Sequence, residues 1–122
     1  MASNALGNPR MPLPVEFQDL IRTRGIPLSQ LGVDGHALAE SDALRGLEIL
    51  LAAERPALGG DVYLIRNRTV ATGYANWRSD PRADESAGDF VLRSHEEART
   101  YIQRFPQKTA TEAVFTLATT DG

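Results

Sequence analysis

The sequence of 122 residues contains no cysteine and only two histidines. Without cysteine, a disulfide scaffold and a thiolate metal site are excluded. No apolar run approaches the ~18–20 residues that a membrane-spanning helix requires. Residues 1–14 lack the basic start and the apolar centre of a signal peptide. We therefore expect a soluble, cytoplasmic protein without a membrane span.

Motifs that carry enzymatic chemistry are also lacking. The chain has no HExxH motif, no DxDxDG loop and no GxSxG elbow, so we predict no metal, no cofactor and no enzyme. Gly59-Gly60-Asp61 precedes a predicted strand, whereas a phosphate cradle requires a following helix. One alternative is an acid–base site in which His95 acts with Glu96 or Glu97. The competing interpretation places His95 on a solvated helix face.

The composition is that of an ordinary globular protein, with 42% hydrophobic and 24% charged residues. The length suits one domain. Residues 1–13 contain a glycine and two prolines but few apolar side chains, which predicts a mobile tail. We expect a single domain over residues 14–120.

Negative charge is concentrated in one segment. The chain has a formal net charge of −3, which argues against a general nucleic-acid binder. Residues 79–97 carry six acidic side chains and two arginines, so this segment is −4 and the remainder is +1. Such a run is usually a solvated loop, but it can also engage a basic partner surface. The candidate contacts in this segment are Asp80, Asp84, Glu85 and Asp89.

Apolar spacing and proline positions predict an α+β fold. Helices are expected over 14–24, 37–55 and 88–105, with a single helical turn in 26–32. Gly25 is expected to end the first helix in a left-handed conformation, and Ser41 is expected to cap the second. A hairpin pairing 61–66 with 69–75, followed by a strand in 113–120, predicts a small, mainly antiparallel sheet of about three strands. Helices should cover one face of this sheet.

The hairpin carries further candidate contacts. Asp61 and Tyr63 should share one face of the sheet, because side chains alternate along a strand. If that face is uncovered, both can contact a partner; if helices cover it, Tyr63 belongs to the core and Asp61 to its rim. Trp77, the only tryptophan, is either a core residue or an interface anchor.

Five segments, in order, resemble the Immunity protein 40 family of bacterial polymorphic toxin systems, over about residues 14–118. They are LxxLGV (28–33), ALxxxxALRGLEIL (37–50), LGGDVY (58–63), YANW (74–77) and FVLRSHEEARTYIQRFP (90–106). The resemblance implies a non-enzymatic α+β protein that binds a toxic domain one-to-one and occludes its active site or an adjacent surface. It offers no catalytic residues to transfer. The matching positions are Gly59, Gly60, Asp61, Tyr63, Asn76 and Trp77, and Asn76 is a further candidate contact.

The leading hypothesis is therefore an immunity protein whose partner is a cognate toxin domain. If that toxin is a nuclease with a basic cleft, the acidic loop could fill the cleft in place of phosphate. We expect no direct contact with nucleic acid or membrane. The alternatives are a small regulatory or interaction subunit without a toxin partner, and a small hydrolase that uses His95. A toxin gene directly upstream would favour the immunity protein over the regulatory or interaction subunit.

Overall fold

A computed structural model describes residues 12–120, which form three helices and a five-stranded antiparallel sheet. The predicted α+β class is confirmed, but the expectation of about three strands was wrong. In chain order the elements are α1 (Val15–Arg24), β1 (Ile26–Pro27), a 3₁₀ turn (Ser29–Leu31), β2 (His36–Ala39), α2 (Glu40–Ala52), β3 (Gly59–Arg66), β4 (Thr69–Arg78), α3 (Ala87–Arg104) and β5 (Glu112–Phe115).

The two additional strands precede α2. The sheet order is β1-β2-β5-β3-β4, so β2 lies between β1 and the C-terminal strand. Leu38 pairs with Phe115, and both side chains are fully buried. Helical spacing had placed residues 37–39 at the start of α2, because alanine and leucine are good helix formers. Strand pairing overrides that preference, so α2 begins at Glu40 after Ala39, and Ser41 is not its cap.

Gly25 ends α1 for a different reason from the one predicted. Its φ is −67°, so the expected left-handed conformation was wrong. A Cβ at this position would lie 2.3 Å from the carbonyl oxygen of Ile21 and 2.9 Å from Cβ of His36. Glycine is therefore required by the close approach of α1 to β2.

The predicted hairpin is confirmed and is longer than expected. Its turn consists of Asn67 and Arg68, whose φ angles of 51° and 64° are both left-handed, as in the turns that match strand twist. The register shifts once: Val62 pairs with Ala75, and Tyr63 pairs with Thr72. Because β4 is an edge strand, this bulge lies at the border of the sheet.

Helices cover one face of the sheet, as predicted, and a short segment covers part of the other. The larger core joins sheet residues such as Val62 and Phe115 to Leu47 of α2 and Ile102 of α3. A smaller cluster lies on the opposite face, which we call the helix-free face; it contains Leu28, Ala37, Val70 and Val114, with Tyr63 and Ile65 at its edge. The cluster does not cover the end of the helix-free face around Asp61 and Asn76, where both residues are exposed.

Both ends of the described chain meet at Arg55. Its buried guanidinium donates hydrogen bonds to the carbonyl oxygens of Pro12 and Thr120. Residues 1–11 of the predicted tail lie outside the described range, so the tail itself stays a prediction. Within residues 12–120, no helix is both long enough and apolar enough to cross a membrane.

Candidate partner-binding surface

Asp61 and Asn76 form a polar pair on the helix-free face. They are direct cross-strand partners in β3 and β4, and both side chains are exposed. The backbone of Asp61 is fixed, because its N–H donates to Oγ1 of Thr116 at 2.8 Å and its carbonyl accepts from the Thr116 N–H at 3.0 Å. No ion pair within residues 12–120 involves Asp61. The backbone of Asp61 is thus held in the sheet, and its exposed carboxylate is open to an external cation.

These two residues line a shallow cleft that also contains the start of the acidic segment. The cleft has a volume of about 450 Å³, and polar and apolar residues both line it: Leu58, Gly59, Gly60, Asp61, Asn76, Trp77, Arg78, Ser79, Asp80, Thr116 and Ala118. Arg78 and Asp80 form an exposed ion pair at 3.1 Å. The structure therefore brings four predicted contacts, Asp61, Asn76, Trp77 and Asp80, to the lining of one cleft.

Trp77 lies on the face that the helices cover. Its ring stacks on Tyr101 at a centroid distance of 4.8 Å and meets the edge of Phe115 at 6.5 Å. The ring passes over Gly60, where a Cβ would come within 2.5 Å of the indole. The packing supports the core interpretation of Trp77, and it explains why glycine precedes Asp61.

Tyr63 shares the helix-free face with Asp61, as alternation predicts. Unlike Asp61, it is partly buried against the small cluster around Leu28 and Val114. The cover over it comes from the segment around the 3₁₀ turn, whose Gln30 side chain accepts a hydrogen bond from the Val70 N–H at 3.2 Å. Tyr63 thus borders the candidate surface, and Asp61 lies within it.

Glu85 is held inside the acidic segment by Arg93. The guanidinium donates two hydrogen bonds of 2.7 Å, one to each carboxylate oxygen of Glu85. Only 10% of the Glu85 side chain is exposed. Hydrogen bonding to Arg93 lowers the pKa of Glu85 to about 2, with a smaller contribution from the Arg82 backbone N–H. The Glu85 charge is therefore satisfied within the fold.

The same arginine organises the neighbouring residues. Arg93 also donates to Glu97 at 3.2 Å and to the carbonyl oxygen of Asp80 at 2.8 Å. Ser79, which is buried, donates its hydroxyl to Glu97 at 2.6 Å. The pKa of Glu97 is lowered, first by this hydroxyl and then by Arg93. We call Ser79, Glu85, Arg93 and Glu97 the Arg93 network.

Asp84 and Asp89 remain outside the Arg93 network. Both are exposed, and neither takes part in an ion pair within the described range. Asp89 lies in the first turn of α3, where its N–H donates to the Ser86 cap at 3.1 Å and its charge faces the positive helix end. The structure does not assign either residue to the cleft around Asp61.

His95 does not lie on a solvated helix face, so that expectation was wrong. It is 2% exposed, and its Nε2 donates to the carbonyl oxygen of Arg55 at 2.7 Å. Burial lowers the pKa of His95, and the nearby Arg99 acts in the same direction. Glu97 is engaged by Ser79 and Arg93, and within the described residues no hydrogen bond or ion pair joins His95 to Glu96 or Glu97. Within the described residues, no group of three or more histidine or acidic side chains could hold a metal ion.

The sequence analysis missed the roles of four residues, namely Arg93, Glu97, His95 and Tyr74. Arg93 and Glu97 have the i,i+4 spacing of a helical ion pair, which was a usable signal. His95 adjoins the buried Ser94 and lies three residues before buried Ala98, so a wider apolar stripe would have included it. The exposure of Tyr74 depends on the bulge in β4, and a single sequence offers no pattern for that bulge.

The described chain is thus a small α+β protein with a mixed polar and acidic cleft on a sheet face that no helix covers. A family model described as Immunity protein 40 matches residues 27–119, which is most of the chain. The chain belongs to this family, which confirms the resemblance and gives it the role of an immunity protein. No curated protein and no solved structure matches the chain.

Proposed function

We propose that this protein neutralises a cognate bacterial toxin domain by binding to it and covering its active site or an adjacent surface. The observation that carries the proposal, beside family membership, is the unpaired carboxylate of Asp61 in the cleft on the helix-free face. An exposed charge on a hydrogen-bonded strand is well suited to protein recognition, because the backbone needs little ordering on binding.

The charge of this surface favours a toxin with a basic surface, such as a nuclease cleft. Exposed carboxylates at Asp61, Asp84 and Asp89 can meet cations that otherwise contact phosphate. Opposite charges steer encounter and raise association rates by a factor of about 10 to 1,000 at low salt. Glu85 contributes indirectly in this proposal, because its pairing with Arg93 shapes the loop that presents Asp80 and Asp84.

A binding role also fits the state of the alternative catalytic residue. His95 is buried, and its Nε2 is already bonded to a backbone carbonyl. We propose that the protein acts without catalysis, in the cytoplasm of the producing cell or a sister cell, and that it contacts neither nucleic acid nor membrane directly.

Co-expression tests the function. The probe is the toxic domain encoded directly upstream of this gene, expressed from an inducible promoter with and without the protein. We expect growth to be rescued only when both are produced, and the two chains to co-purify. Growth arrest that persists while soluble, folded protein accumulates would contradict the proposal. An unrelated toxin serves as the control and should remain toxic.

A further inference from the structure

Tyr74 has the most exposed large apolar side chain in the described chain. Its relative exposure is 92%, against 71% for Val15 and 62% for Leu92. It lies in the middle of β4, two residues before Asn76 of the polar pair. Within residues 12–120, no ring contact includes Tyr74. Its side chain is thus exposed to solvent, two residues along the strand from a residue that lines the cleft.

The backbone of Tyr74 adopts a conformation that tyrosine disfavours. Gly73 and Tyr74 are the extra residues of the bulge, since Thr72 and Ala75 pair with consecutive residues of β3. The φ of Tyr74 is 53°, in the left-handed region, where a bulky side chain is an outlier. Glycine or asparagine would adopt this conformation at lower cost.

A structural role for the bulge does not explain the tyrosine. Bulges on edge strands protect a sheet against pairing with other chains. That protection depends on the backbone and would be retained with glycine at position 74, where the N–H bonds to the Thr72 hydroxyl at 3.2 Å. The aromatic side chain is therefore present despite the backbone preference and without a packing role in the free protein.

We infer that Tyr74 is the anchor residue through which the helix-free face binds the toxin domain. This inference rests on the proposed function and specifies the contact residue. An exposed tyrosine supplies a large contact area with little conformational entropy to lose, and tyrosine is enriched among residues that dominate binding energy. The bulge places Tyr74 two residues along β4 from Asn76, which lines the cleft together with Asp61.

The partner surface is specified by this arrangement. It should contain an apolar depression that receives the phenol ring, with a lysine or arginine beside it that reaches Asp61. Burying the ring removes apolar area from water, and the cation meets a carboxylate that has no ion-pair partner within residues 12–120. The basic part of this surface agrees with the basic toxin surface proposed above, and the apolar depression is the feature that Tyr74 adds.

The test uses two variants, Tyr74→Gly and Tyr74→Asn, in the full chain. Both suit the left-handed backbone, so the midpoint temperature of unfolding should stay equal or rise. Affinity for an inactivated form of the toxic domain encoded directly upstream should fall at least about tenfold, as for an anchor residue. Binding is thus weakened without a loss of stability, which a purely structural residue would not show.

Ala110→Gly is the matched control. Ala110 is also exposed and has a left-handed φ of 70°, but it lies in the turn before β5. This variant should raise stability in the same way and leave toxin affinity unchanged. Tyr74→Phe keeps the ring and should retain most of the affinity.

Three outcomes would overturn the inference. If the wild type binds and the two Tyr74 variants bind within about twofold of it, the anchor lies elsewhere and the proposed function stands. If both variants lower the unfolding midpoint, the ring holds the bulge and the residue is structural. If the wild type itself does not bind the toxic domain, the proposed function fails and the inference fails with it.

Discussion

Glu85 and Asp84 are adjacent in sequence and have the same charge, but their environments differ sharply. Glu85 is 10% exposed and receives two hydrogen bonds from Arg93. Asp84 is exposed and takes part in no ion pair within the described range. The two carboxylates therefore have separate tasks: one stabilises the loop, and the other is available to a partner.

The difference shows that the charge of a segment is not the charge that a partner meets. Of the six acids in residues 79–97, Glu85 and Glu97 belong to the Arg93 network, and Asp80 pairs with Arg78. The free charge is thus smaller than the sequence indicates and is joined by Asp61 from the hairpin. Substitutions at these residues test whether the two environments differ as described.

Arg93→Ala should produce the largest loss of stability among the surface-charge variants. Removing the guanidinium leaves Glu85 and Glu97 close together without their shared partner and removes the bond to the Asp80 carbonyl. Charge repulsion and lost hydrogen bonds should loosen the loop over 79–86. Chemical denaturation measures the change. Arg99→Ala, an exposed arginine on the same helix, is the control and should have little effect.

Glu85→Gln should lower stability less than Arg93→Ala, and its effect should depend on pH. The folded pKa of about 2 is below the ordinary 4.5, so the charged pair stabilises the fold above pH 4.5. This stabilisation is lost as the pH falls through 4.5 towards 2. The variant should therefore differ from the wild type most at neutral pH and converge with it in acid.

Asp84→Asn is the matched variant for Glu85→Gln. Because Asp84 is exposed and outside the Arg93 network, its free energy of unfolding should change by less than about 0.5 kcal/mol at neutral pH. If both variants lose stability equally, the two carboxylates are equivalent and the comparison fails. Thermal melts at several pH values decide between these outcomes.

His95 should contribute a separate dependence on pH. Burial lowers its folded pKa below 6.5, so the unfolded chain binds a proton that the folded chain excludes. Stability is then full above pH 6.5 and declines as the pH falls below it, by at most about 1.4 kcal/mol per pH unit. His95→Gln should flatten this decline between pH 7 and 5. His36→Gln, at an exposed histidine, should retain it.

Local patterns predicted the elements whose own residues determine them. The hairpin turn at Asn67, the helix that ends before Pro106 and the apolar stripe around Ala98 and Ile102 all follow from short-range preference and periodicity. Local patterns did not predict the strand His36–Ala39, because it forms by pairing with a distant segment in which Phe115 lies opposite Leu38.

Part of the candidate surface could be predicted from the sequence, and part could not. Alternation correctly grouped Asp61 with Tyr63, and the hairpin register brings Asn76 beside Asp61. The pairing of Glu85 with Arg93 spans eight residues across a loop, so helical spacing could not show it. The exposure of Tyr74 depends on a register shift that only the assembled sheet defines.

The central claim is that the exposed acids, rather than those in the Arg93 network, face the toxin. The most direct measurement is the association rate with the inactivated toxic domain encoded upstream, followed as salt is raised. Asp61→Asn combined with Asp84→Asn should slow association about tenfold at low salt and reduce its salt dependence. The control combines Glu16→Gln in α1 with Glu54→Gln just after α2. It makes the same change in net charge at two exposed residues and should leave the association rate unchanged. Equal rates for the wild type and both double variants at every salt concentration would contradict the claim.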